Sequence, residues 1–101
     1  MIGRGTTPTI RFNLSIINPS EIVSAVMTIA QFGSVTVEKE YNTATIGETY
    51  IEWNLSQEDT LKIKQPGEVE IQARYRTSDG QAYESKVYTI SVEKILHEGV
   101  I

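Results

Sequence analysis

The chain has 101 residues, no cysteine and a formal net charge of −4 at pH 7. That is the length of one domain, and it excludes a disulfide framework and a thiolate metal site. Apolar residues make up 40% and charged residues 22%, the balance of a soluble globular protein, and the acidic excess argues against nucleic acid as the main partner.

Residues 1–8 read as a flexible N-terminal arm ending at Pro8, without the apolar core of a signal peptide. Thr9 to Leu14 alternates, with Ile10, Phe12 and Leu14 on one face, and predicts a strand. Ile16 and Ile17 are expected in a loop, and Asn18-Pro19-Ser20 marks a turn. Ile22 to Gln31 predicts a strand with Val23, Ala25, Met27 and Ile29 on one face and a weakly polar second face, suiting a central position. Its apolar run is too short and too interrupted to cross a membrane. Phe32-Gly33-Ser34 turns the chain into Val35–Tyr41, a strand expected to point Val35 and Val37 inward. Ala44 and Ile46 suit a short edge strand before the Gly47-Glu48 turn.

Residues 50–64 organise the rest. Ile51, Trp53 and Leu55 alternate with Glu52 and Asn54, giving a half-buried strand that carries the only tryptophan. Ser56-Gln-Glu-Asp59 follows with the spacing of a capped helical turn, the Ser56 hydroxyl taking the Asp59 amide. Leu61 and Ile63 then point back inward. Gln65-Pro66-Gly67 is a further turn. Glu68 to Thr77 alternates strictly, with Val69, Ile71, Ala73 and Tyr75 on one face. Ser78-Asp79-Gly80 is the strongest hairpin signal. On the return, Tyr83 and Val87 share one parity while Ile90 and Val92 share the other. A strand cannot bury both sets without a one-residue slip, so a bulge is expected between Val87 and Ile90.

Six or seven strands, no long helix and no βαβ unit indicate an all-β fold: an antiparallel immunoglobulin-like β-sandwich over residues 9–96, with one short helical turn near 56–61 and a tail at 97–101. A closed barrel is the alternative.

Catalytic constellations are thin. His97 is the only histidine and stands in the tail, far from any nucleophile and acid in the pattern. Glu38/Glu40 and Glu68/Glu70 could suggest a glycosidase pair or a calcium site, but both fall on polar strand faces. No enzyme activity, cofactor or metal is expected. Arg74 and Arg76 lie on the face of Glu70 and opposite Glu84 and Lys86, where cross-strand ion pairing is expected. That charged face, with Tyr83 and Tyr88, is the candidate protein interface. Trp53, Ile51, Leu55, Ser56, Asp59 and Leu61 are expected to be structural.

Four stretches also carry a family likeness: Arg4 to Phe12, Leu55 to Leu61, Val69 to Arg74 and Ile90 to Ile101. In them the chain resembles small proteins of unassigned function encoded among the virion structural genes of phages and prophages of Gram-positive (Firmicute) bacteria. It is more distantly similar to the immunoglobulin-like N-terminal domain of baseplate upper proteins. The resemblance implies a non-enzymatic structural or assembly protein of a tail, baseplate or neck. Such a protein is made in the bacterial host cytoplasm and contacts itself or other virion proteins, with homo-oligomers in prospect. It carries no site residues with it. The competing expectation is a carbohydrate-binding or adhesion module, its exposed tyrosines and glutamates contacting sugars.

Overall fold

The structure is a computed structural model that describes residues 2–15, 17–64, 67–93 and 95–101. Among these residues nine strands and one α-helix follow in chain order: β1 (Ile2–Gly3), β2 (Thr9–Asn13), β3 (Ile22–Gln31), β4 (Ser34–Glu40), β5 (Ala44–Ile46), β6 (Tyr50–Asn54), α1 (Gln57–Leu61), β7 (Glu68–Thr77), β8 (Ala82–Glu84) and β9 (Tyr88–Glu93). One sheet runs β1-β9-β7-β3-β4, with β8 also on β7; the other runs β2-β6-β5. This is the all-β sandwich expected. The strands beyond the six or seven expected are the two-residue β1 and the one gained where the expected last strand divides into β8 and β9.

The core forms where the alternating apolar faces meet. Ala25, Met27, Ile29, Val37, Val69, Ile71 and Ala73 come from the larger sheet, and Phe12, Ile51 and Trp53 from the smaller. Trp53 is 1% exposed, meets the Phe12 ring edge-on at 6.0 Å and donates its indole N–H to the Glu40 carbonyl at 3.0 Å. Burying the ring thus leaves no unpaired polar atom.

Between the sheets, α1 is held by a full capping box. The Ser56 hydroxyl accepts the Asp59 N–H at 3.1 Å, and the Asp59 carboxylate accepts the Ser56 N–H at 2.9 Å. Leu55 and Ile63, on either side of the turn, are buried. Leu61, expected inside, is half-buried, with its side chain near Gly5.

At the N-terminus, where the sequence suggests a flexible arm, Ile2–Gly3 form a short strand and Arg4 and Pro8 contact the sandwich. Ile2 pairs in parallel with Val92 and is 2% exposed. Arg4 donates to the Leu61 and Ile63 carbonyls, and the Pro8 carbonyl accepts the Leu55 N–H at 2.9 Å. Among the described residues, the pairing of β1 is the one departure from a purely antiparallel arrangement. In the tail, His97 is exposed, and the Ile101 backbone exchanges two hydrogen bonds with the Gln57 amide. The Gln65-Pro66 part of the expected turn and the loop position of Ile16 lie outside the described residues.

Three one-residue slips in strand register redirect side chains. In β3, Ile22 pairs with Thr77 and Ser24 with Arg76, so Val23 is the extra residue of a bulge. Ile22 and Ala25 both face the core as a result, and Val23, expected inside, is 50% exposed. In β4, Val37 opposes Ile29 and Val35 opposes Ala30, which leaves Thr36 unmatched. Val35 is therefore exposed, while Lys39, on the parity of Val37, turns inward. The third slip lies between Glu84, opposite Arg74, and Tyr88, opposite Ile71. It falls just before the segment where it was expected, and it leaves Val87 out and Ile90 and Val92 in.

Candidate functional site

β3 and β7 are ten residues each, whereas β2 and β6 are five. At about 3.4 Å per residue the long pair outreaches the small sheet by about 17 Å. An open groove of about 760 Å³ lies along the first half of β3 and the second half of β7. Its lining includes Val23, Tyr41, Arg74, Tyr75, Arg76 and Tyr83.

Local structure sets each of these side chains. The β7–β8 hairpin closes on Thr77 and Gln81: the Thr77 N–H donates to the Gln81 carbonyl at 3.0 Å, and Gly80 takes a φ of +86°. The Asp79 carboxylate accepts the Thr77 hydroxyl and the Gln81 N–H. The Thr77 bond above all, with that N–H, holds its pKa below the ordinary value. This closure sets Tyr83 opposite Tyr75, and the rings stack at 5.8 Å with an interplanar angle of 19°. Burial, and secondarily the neighbouring Tyr83, raises the Tyr75 phenol above its usual range, so its hydroxyl stays a neutral donor. The bulge at Val23 turns that side chain outward to the groove. A single 3-10 turn at Tyr41–Thr43 follows β4 and brings Tyr41 in.

Arg74 and Arg76 are exposed on one strand face. Arg74 stands opposite Glu84 in register. The ion pairs among the described residues are nonetheless Arg4–Glu98, Arg11–Glu52 and Lys39–Asp59. The cross-strand pairing expected for Arg74 and Arg76 is therefore not made there, and both guanidinium groups face solvent. A guanidinium keeps its charge and offers a planar fork of donors. On the face of β7 opposite the stacked Tyr75–Tyr83 rings, it suits contact with another molecule's carboxylates.

Of the four interface residues picked out by sequence, the groove unites Arg74, Arg76 and Tyr83. Tyr88 lies apart, at a second depression, with its ring 6.2 Å from Phe12. Trp53, Ile51, Leu55, Ser56 and Asp59 are in the core and the cap rather than at a binding surface. Sequence reasoning missed Val23 and Tyr75, because period-two parity assigned both to the core. It also missed the Lys39–Asp59 pair at 2.8 Å: Lys39 shares the inward parity of Val37, but alternation along one strand does not reveal a partner on a distant turn.

Glu38, Glu40, Glu68 and Glu70 are exposed on strand faces. Among the described residues no three histidine or acidic side chains cluster as a metal site would require, and no helix is long and apolar enough to cross a membrane. No family model matches the chain, and neither does any curated protein or solved structure.

Proposed function

We propose that this chain is a non-enzymatic structural or assembly protein of a phage or prophage virion, acting through protein–protein contacts in a tail, baseplate or neck. It would be made in the host cytoplasm and then built into the particle. The observation that carries the reading is the groove, whose lining includes Arg74 and Arg76, with no ion partner among the described residues, together with Tyr41, Tyr83 and the exposed Val23. Arginine and tyrosine are the side chains that dominate protein interfaces, because each combines apolar area with directed hydrogen bonds. The family likeness of the sequence supplies the virion setting.

Particles from an induced lysogen should contain the chain. Deleting its gene should give particles lacking a tail, baseplate or neck feature by electron microscopy, and complementation with R74E/R76E should leave the defect in place. Complete, infectious particles formed without the chain would overturn the reading.

The stacked Tyr75–Tyr83 pair keeps glycan binding as a second reading, since aromatic faces also receive sugar rings. A glycan array separates the two. A sugar hit that Tyr83→Ala abolishes would favour the adhesion module.

A further inference from the structure

We propose that the C-terminal segment of one copy adds as a strand to the open edge of β9 in the next, joining copies head to tail. This deepens the assembly reading above and rests on it only for its biological setting.

On one side β9 pairs with β7 from Tyr88 to Ser91. On the other, β1 covers Val92 and Glu93. Tyr88–Ile90 thus present a free edge among the described residues. Its polarity follows from one bond: the Val92 N–H donates to the Gly67 carbonyl at 3.1 Å. Alternation along an antiparallel pair turns the backbone groups of Ile90 and Tyr88 the same way, towards β7, and those of Thr89 outward. Thr89 therefore offers an N–H and a carbonyl to an incoming strand.

The sheets part beside this edge. An apolar slot of about 310 Å³ is lined by Ile10, Phe12, Ile71, Tyr88 and Ile90. β2, on the opposite rim, pairs with β6 along one side only among the described residues. A free backbone edge above an apolar slot is the setting of strand addition.

The chain itself carries a matching segment. Leu96, Val100 and Ile101 are 91%, 56% and 92% exposed, although aliphatic side chains gain most from burial. The segment is held by surface contacts, Gln57 on the Ile101 backbone and Arg4 on Glu98, which are worth little. Extended, the six residues from Leu96 reach about 20 Å, enough to span the edge. Donor and acceptor surfaces differ, so the contact repeats from copy to copy into a ring or a filament.

Light scattering over a concentration series tests this with three chains. Wild type should grow in mass with concentration. Thr89→Pro removes the outward N–H while sparing the bonds to β7, and it should stay monomeric. L96S/V100S/I101S should do the same. Mixed, the two variants should form a two-chain species, because one keeps its tail and the other its edge. Circular dichroism checks that each is folded; should Thr89→Pro not fold, the tail variant decides alone. Three outcomes overturn the proposal: a monomeric wild type, a tail variant that associates like wild type, or folded variants that do not pair on mixing. A monomeric wild type that is nevertheless found in particles would remove strand addition and leave the assembly reading standing.

Discussion

Replacing Lys39 with methionine removes one half of an ion pair and leaves the other half in place. The Lys39 ammonium lies 2.8 Å from the Asp59 carboxylate, and the two side chains are 25% and 9% exposed. Burial alone would raise the Asp59 pKa. The Lys39 ammonium and the Ser56 donors outweigh it and hold the carboxyl below its ordinary value. A hydrogen bond to a charged group contributes about 1.5–3 kcal/mol, and stripping one partner from a fully buried pair costs about 3–5 kcal/mol. Lys39 keeps some contact with water, which screens the pair, so the expected loss is about 1–2 kcal/mol. The pH dependence has a definite sign. A folded value below the unfolded one gives stability that is fully present above the unfolded value of about 3.9 and lost as pH falls through the folded value. Urea unfolding followed by Trp53 fluorescence reads this directly, because the ring goes from buried to solvated. At about 1–3 kcal/mol per molar of urea, the midpoint should fall by about 1 M at neutral pH, and the deficit should shrink below about pH 4. Equal midpoints at neutral pH, or a deficit unchanged by acid, would refute the argument.

Two further substitutions test the core and the β3–β4 turn. Trp53→Ala should cost about 3–5 kcal/mol, a large part of the stability of a domain this size; a cooperative thermal transition near that of wild type would overturn the core assignment. Phe32 holds a φ of +54° and is 74% exposed, followed by Gly33 at +78°. Asparagine adopts that conformation more cheaply, so Phe32→Asn should stabilise by about 0.5–2 kcal/mol. A lower melting temperature would mean that the Phe32 ring's packing over Gly67 outweighs the backbone term.

Strand identity was legible because most of it rests on strict alternation. Ile51, Trp53 and Leu55 needed nothing else, and the Ser56–Asp59 cap needed only its spacing, since both acts are local. What alternation cannot give is the place where a strand takes an extra residue. Val23 and Val35 are as apolar and β-branched as their buried neighbours, so no residue type marks the bulges at Val23 and Thr36. The slip before Tyr88 was detectable only because buried residues on both parities demanded one. β1 was missed for a different reason: two residues are too few to show a period, and its partner lies 90 positions away.

These misses bear on the candidate surfaces directly. A bulge sends a side chain of core chemistry to the outside, where burial by a partner can repay its exposure. Val23 reaches the groove of Arg74 and Tyr83 by that route. The slip before β9 does the reverse, turning Tyr88 over the slot beside Phe12 while that edge of the strand stays open among the described residues. Both surfaces therefore arise where the chain departs from regular pairing. The substitutions that test them belong at Val23, Thr89 and the two arginines rather than in the alternating core, where a loss of binding could not be told from a loss of fold.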